Sequence, residues 1–187
     1  LGLALAFVVA LIRLFGPAPL VALVRFYVWL IRGTPLLVQL FVIFYGLPSV
    51  GIVLDPLPAA LIGFTLNVGA YNSEVIRGAI ESITKGQWEA AYSLSMTRGQ
   101  ALRRTILPQA ARVAVPPLSN SFIALVKDTS LIYVLALNDI LRTARGIVQR
   151  DFTTTPFLVA AAFYLLMTLV LTWFFQHMEK RYAKYDQ

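Results

Sequence analysis

Three ionisable residues interrupt otherwise apolar stretches of this chain: Glu74, Lys127 and Asp128. A charge inside a hydrophobic span is costly to place, so each is a functional candidate by default. Glu74 shares a helical face with Asn67 and Tyr71, spaced i, i+4 and i+7, with Asn72 and Ser73 beside them. Asn120 and Lys127 are likewise seven apart, and Thr129 and Ser130 follow Asp128 directly. The set combines both signs of charge with neutral hydrogen-bonding groups. The same residues also have structural uses. Glu74 lies three residues from Arg77 and can pair with it or snorkel, and Lys127–Asp128 can lock helices at a subunit interface. Asn67 and Asn120 can bond between helices. Much other chemistry is excluded. With no Cys there is no disulfide, zinc ribbon, iron–sulfur site or thiol nucleophile, and the single His177 leaves no His pair for a metal. No H-E-x-x-H, no G-x-S-x-G and no paired intramembrane Asp occurs, which disfavours an intramembrane enzyme.

These residues need a membrane bundle to position them. The chain has 187 residues, 58% hydrophobic and only 13% charged, with a net charge of +7. That is about half the charge of a soluble domain, too little to cover a core in water. A transmembrane helix needs about 20 apolar residues. Charge-free stretches run from Arg32 to Asp55, from Asp55 to Glu74 and from Asp151 to Glu179, and a fourth apolar stretch covers Pro116 to Leu137. The opening run, Leu1 to Ile12, is too short to cross, has no basic region before it and ends at Arg13. It reads as the second half of a first helix and not as a signal peptide. The expected fold is all-α: one polytopic domain with five transmembrane helices at about 1–12 (partial), 34–54, 56–76, 116–137 and 156–177.

Breaker residues mark the joints, among them Gly16-Pro17, Gly33-Thr34-Pro35, Pro108, Pro116-Pro117 and Pro156. Pro116-Pro117 suits the first turn of the fourth helix, which would carry Lys127 about 15 Å inward. The basic residues set the orientation. Arg13, Arg25 and Arg32 in the first loop, six Lys and Arg between Arg77 and Arg112, and Lys180, Arg181 and Lys184 in the tail share one face. Only Arg142, Arg145 and Arg150 fall opposite. This places the C-terminus in the cytoplasm and explains the basic excess without nucleic acid.

Residues 78–112 form a cytoplasmic segment too long for a linker. Thr84-Lys85-Gly86-Gln87 and Thr97-Arg98-Gly99-Gln100 both fit the capping box. A short helix is expected around Trp88 to Leu94, with Trp88, Ala91, Tyr92 and Ser95 on one stripe, and a second ending at Pro108. Exposed aromatics and small alanines on two short helices suit a groove on another protein. A basic loop lying on anionic headgroups is the alternative.

Glu89-Ala90-Ala91, then Ser95, then Leu107-Pro108 resembles the EAA loop of membrane subunits in binding-protein-dependent ABC importers. Further segments resemble the polar amino acid branch (histidine, glutamine, arginine and cystine types): Arg32-Gly33-Thr34-Pro35-Leu36-Leu37-Val38-Gln39, Lys85-Gly86-Gln87-Trp88, Pro116-Pro117-Leu118-Ser119-Asn120 and Lys127-Asp128-Thr129-Ser130-Leu131. Within that branch the chain looks closest to cystine-type permeases. Two positions depart from the pattern: Ser95 replaces a glycine at the bend between coupling helices, and Thr105 replaces an isoleucine.

The resemblance implies a permease subunit in a bacterial inner membrane, importing a polar amino acid delivered by an extracytoplasmic solute-binding protein. A second permease subunit, identical or paralogous, would complete the pore. Gln87, Trp88, Glu89, Ala90, Ala91, Ser95, Leu107 and Pro108 would couple it to a separate ATP-binding subunit. The chain lacks G-x-x-x-x-G-K-[ST], so ATP and Mg²⁺ would belong to that partner and no cofactor to this chain. An amino-acid zwitterion would meet Glu74, Asp128 and Lys127, with Asn67, Tyr71, Asn120, Thr129 and Ser130 supplying neutral contacts. A self-sufficient carrier or channel for small polar solutes, whose basic loop only binds lipid, is the competing reading.

Overall fold

The computed structural model describes residues 1–183, with side chains described through Glu179. The tail residues Lys180, Arg181 and Lys184, used to set the orientation, therefore lie outside the described side chains. Every regular element among the described residues is helical.

Helix α1 (Gly2–Phe15) runs alongside α4 (Pro56–Glu81) in the same direction. Small residues bring the two together. A Cβ on Gly2 would lie 2.7 Å from Val68, and one on Gly69 would lie 2.7 Å from Leu5. Ala59, Ala60, Gly63, Ala70 and Ser73 of α4 are also buried. Such small-residue faces supply close packing where lipid offers no hydrophobic drive. Helix α4 starts on Pro56, whose missing amide costs nothing in a first turn.

The region expected to be a loop with three arginines is instead mostly helix α2 (Ala18–Arg32). Val24, Tyr27, Val28 and Ile31 pack with Val9 and Ala70, a spacing that defines one helical face. Arg25 and Arg32 are exposed positions of this helix, so their charges do not mark a loop. Helix α2 meets the helical segment Leu36–Val50 at 106°, across Gly33-Thr34-Pro35. That segment begins as α3 (Leu36–Phe41), widens into a π turn (Val42–Gly46) and tightens into a 3₁₀ turn (Leu47–Val50).

After α4 come α5 (Lys85–Ser93) and α6 (Arg98–Ala101), then a π turn (Leu102–Ile106) that passes directly into α7 (Leu107–Asp128). Two expectations are corrected here. Pro108 does not end a helix but sits in the first turn of α7. Pro116 and Pro117 lie inside α7 and not at its start. Each removes one amide from the helical ladder, and both residues are exposed. A 3₁₀ turn (Thr129–Leu135) leads to α8 (Ile140–Asp151) and α9 (Thr155–Ala183).

Two described helices are long and apolar enough to cross a bilayer, Arg98–Leu135 and Thr155–Glu179. The bent pair Ala18–Arg32 and Leu36–Val50 makes a third if it forms one span, and Gly2–Phe15 is a shorter apolar helix.

Candidate functional site

Two polar regions stand out, one at the α5 end of the bundle and one within it. At the α5 end, Trp88 packs on a cluster of Ala79, Ile80, Ile106, Ala110 and Ala114, joined by Ile83, Leu102 and Leu107. Ala91, one turn on, is 2% exposed. Trp88 and Ala91 therefore fasten α5 to the bundle, which corrects the expectation that their stripe faces outward. The outward face consists of Glu89, Ala90 and Ser93, with Tyr92 and Leu94 at its edge. Glu89 makes no ion pair among the described residues. Gln87 accepts from Gln109 Nε2 at 3.0 Å, and the same nitrogen reaches the Thr105 carbonyl at 3.0 Å, so α5 is tied to the start of α7.

Of the two expected capping boxes, one forms. Thr97 Oγ1 accepts from the Gln100 amide at 3.4 Å, and Gln100 Oε1 accepts from the Thr97 amide at 2.9 Å. Thr84 occupies the N-cap of α5 but makes no side-chain cap bond. Between them Ser95 adopts φ 55°, the left-handed region that glycine enters freely. The turn is closed by Ser95 N donating to Tyr92 O at 2.8 Å and Met96 N to Ala91 O at 3.2 Å. Ser95 thus keeps the backbone expected of the family's glycine. Thr105, the second departure, faces Met96, with Oγ1 3.9 Å from its sulfur. The Arg98 guanidinium lies 4.6 Å from the ring centre of Phe15, so the segment also touches the end of α1.

Between α3, α4 and α7 lies a half-open cavity of about 270 Å³ lined by Thr34, Asn67, Tyr71, Asn72, Ser121 and Asp128 among others. It brings together three of the eight residues singled out for the substrate path: Asn67, Tyr71 and Asp128. Asn67 Nδ2 donates to Gln39 Oε1 at 3.0 Å, and Gln39 Nε2 in turn donates to the carbonyls of Ile31 at 2.7 Å and Thr34 at 2.9 Å. The break at Gly33-Thr34-Pro35 is what makes this possible, since it frees carbonyls for Gln39 to bind. Asn72 is 3% exposed, and its Oδ1 finds no hydrogen-bond partner among the described residues.

The other five fall elsewhere. Glu74 is bound by Arg13 and Arg77, the latter at 2.8 Å, with Arg32 at 3.9 Å. Arg77 also reaches Glu81 at 2.5 Å. Asn120, Lys127 and Thr129 are exposed, and Ser130 is half-buried outside the cavity lining. Thr129 Oγ1 donates back to Val126 O at 2.6 Å. Gln39 and Asn72 were not singled out as site residues. Gln39 follows a Gly-Thr-Pro break in an apolar run, and Asn72 adjoins Tyr71, signals that could have found both. A larger, mostly apolar groove of about 740 Å³ between α8 and α9 contains none of the singled-out residues.

A helical bundle with apolar membrane-length helices, a polar cavity between α3, α4 and α7 and a short helix beyond its end has the form of the membrane component of a transporter. The chain belongs to the family of binding-protein-dependent transport system inner membrane components, matched over residues 2–184. It is 47% identical over 186 residues to the L-cystine transport system permease protein TcyB of Bacillus subtilis, covering 98% of this chain and 80% of that one. It is 40% identical to the glutamine transport system permease protein GlnP of Escherichia coli, covering 96% and 84%. Among solved structures, an amino acid ABC transporter crystallised with histidines superposes with a TM-score of 0.90 at 34% identity, over 96% of this chain and 85% of that one.

Proposed function

We propose that this chain is the permease subunit of an ATP-driven importer for a polar amino acid, cystine-like in the first instance. An extracytoplasmic binding protein delivers the substrate, a second permease subunit completes the pore, and a separate ATP-binding subunit hydrolyses ATP. Five membrane crossings and a cytoplasmic C-terminus complete the reading, with α5 at the cytoplasmic end. The observation that carries it is the outward face of α5. On a helix anchored from behind by Trp88 and Ala91, Glu89 and Ala90 are exposed, and the Glu89 carboxylate makes no ion pair among the described residues. A small residue beside an unpaired carboxylate fits a cleft offering a basic or amide group.

Within the bundle, Asp128 is the group for the substrate ammonium, and Asn67, Asn72 and Tyr71 are the neutral contacts around it. Glu74, bound by arginines, positions helices and does not meet the substrate. Lys127, Asn120 and Thr129, on the exposed side of α7 and its extension, face the second permease subunit, with Ser130 beside them.

Reconstitution tests the whole reading. Liposomes holding this chain with its ATPase and binding protein take up labelled cystine or another polar amino acid only when ATP is supplied. Uptake that persists without ATP or the ATPase overturns it in favour of a self-sufficient carrier. Glu89→Lys is expected to abolish co-purification of the ATPase while leaving membrane insertion unchanged.

A further inference from the structure

A second polar cavity, of about 500 Å³, opens on the α2 side of α4 and is lined by Arg13, Arg25, Trp29, Arg32, Tyr71 and Glu74 among others. Its charges do not cancel. One carboxylate on its wall, Glu74, stands against three arginines, Arg13, Arg25 and Arg32, and Arg13 binds it; Arg77, behind the wall, is offset by Glu81. Arg25 is exposed and makes no ion pair among the described residues. Arg32 only approaches Glu74, at 3.9 Å, and lies over the Tyr71 ring, 5.4 Å from its centre. About two positive charges therefore remain on the cavity wall.

The surroundings of these charges decide what would neutralise them. Arg25, Trp29 and Arg32 fall at i, i+4 and i+7 on α2 and form one stripe. The adjacent stripe holds Leu23, Phe26 and Leu30, exposed by 63%, 57% and 43%, and Trp29 itself is 68% exposed. A basic cavity continuous with a broad apolar helix face fits an amphiphile, with a phosphate at the arginines and acyl chains along the aromatics. Basic pockets between membrane helices bind anionic headgroups in this way.

We propose that the α2 cavity is a binding site for an anionic phospholipid, its phosphate held between Arg25 and Arg32 and its chains lying on Phe26 and Trp29. This assignment goes beyond the importer reading and does not depend on the identity of the transported solute. The site differs from the Asp128 cavity, with which it shares only Tyr71.

Trp29 is a built-in reporter. The assembled transporter is placed in phosphatidylcholine nanodiscs doped with either phosphatidylglycerol or phosphatidylcholine carrying brominated chains. The Trp29 component of fluorescence is taken as the signal lost in Trp29→Phe. Brominated phosphatidylglycerol is expected to quench that component with a preference of about thirtyfold, the scale set by two arginines near a surface phosphate. Arg25→Gln with Arg32→Gln is expected to bring the two lipids to equal quenching. If that pair does not assemble, Arg25→Gln alone serves, since its side chain holds no ion pair, and a severalfold loss of preference is expected. Equal quenching by both lipids in the unaltered protein overturns the site, as would be seen if a second subunit covered it. Complete reversal by excess soluble glycerophosphate marks a free-anion site and overturns the lipid assignment.

Discussion

Two carboxylates sit in the same bundle with opposite surroundings. Glu74 on α4 is held by Arg13 and Arg77 and approached by Arg32. Asp128, at the end of α7, faces a cavity with Asn67, Tyr71 and Asn72, and no arginine lines it. Both looked alike in sequence, each an acid in an apolar stretch. The difference is that α1 and α2 bring arginines to Glu74, whereas among the described residues no basic side chain lines the Asp128 cavity, and the adjacent Lys127 is exposed. A charge satisfied by its own chain holds helices together, and one left facing a cavity is available to a ligand.

The largest expected effect breaks the first half of that comparison. Glu74→Leu leaves Arg13, whose side chain is 17% exposed, without its carboxylate. Removing one partner of a poorly solvated pair costs about 3 kcal/mol or more. Thermal melting of the purified protein in detergent is expected to fall steeply, and unchanged melting would return Glu74 to the substrate path. Asp128→Asn is expected to do the reverse. Uptake falls by about a hundredfold, the scale of a lost charged contact to a ligand. Melting changes by no more than about 0.5 kcal/mol, as expected where no internal pair is lost. Loss of stability without a selective loss of uptake would make Asp128 structural too.

The sequence made some of this legible and hid the rest for identifiable reasons. The Glu89-Ala90-Ala91 motif and the Thr97 box were readable because each depends on neighbours within one or two turns. Arg77 is readable as a partner of Glu74 from its i+3 spacing, and the pair forms. Arg13 and Arg32 are not, because Arg13 lies about sixty residues away and Arg32 falls in what reads as a loop. The helix that holds Arg32 carries a regular apolar face at Val24, Tyr27, Val28 and Ile31, which charge counting obscured. Pro116-Pro117 misplaced the start of α7, since prolines that favour a first turn are also tolerated within a membrane helix when other groups satisfy the freed carbonyls. Nor could the pattern of α5 reveal which stripe faces outward. Trp88 and Ala91 share the spacing of a docking face, and only the packing of Trp88 on the cluster of Ile80 and Ile106 and the burial of Ala91 assign them inward.

The α5 end allows a finer comparison, between a strained turn and its two flanking caps. Ser95 holds φ 55° without being glycine, a conformation that costs an L-residue roughly 1 kcal/mol. Ser95→Gly is therefore expected to stabilise the segment by about that amount, read as slower amide exchange over residues 91–98. Exchange that speeds up would show that backbone entropy outweighs the relief of strain.

The smallest effect separates Thr97 from Thr84. Both begin a Thr-x-x-Gln sequence, yet only Thr97 exchanges bonds with its glutamine. The reason lies in Gln87, whose Oε1 accepts from Gln109 instead of turning back to its own N-cap. A contact that ties α5 to α7 has displaced a local one. Thr97→Ala is then expected to cost about 1 kcal/mol of local stability, the usual worth of a formed cap. Thr84→Ala is expected to cost much less, because no side-chain cap bond is lost. Amide exchange at residues 84–87 and 97–100 measures both. Equal losses at the two sites would mean that Thr84 forms its cap in solution and that the Gln87–Gln109 bond does not compete with it.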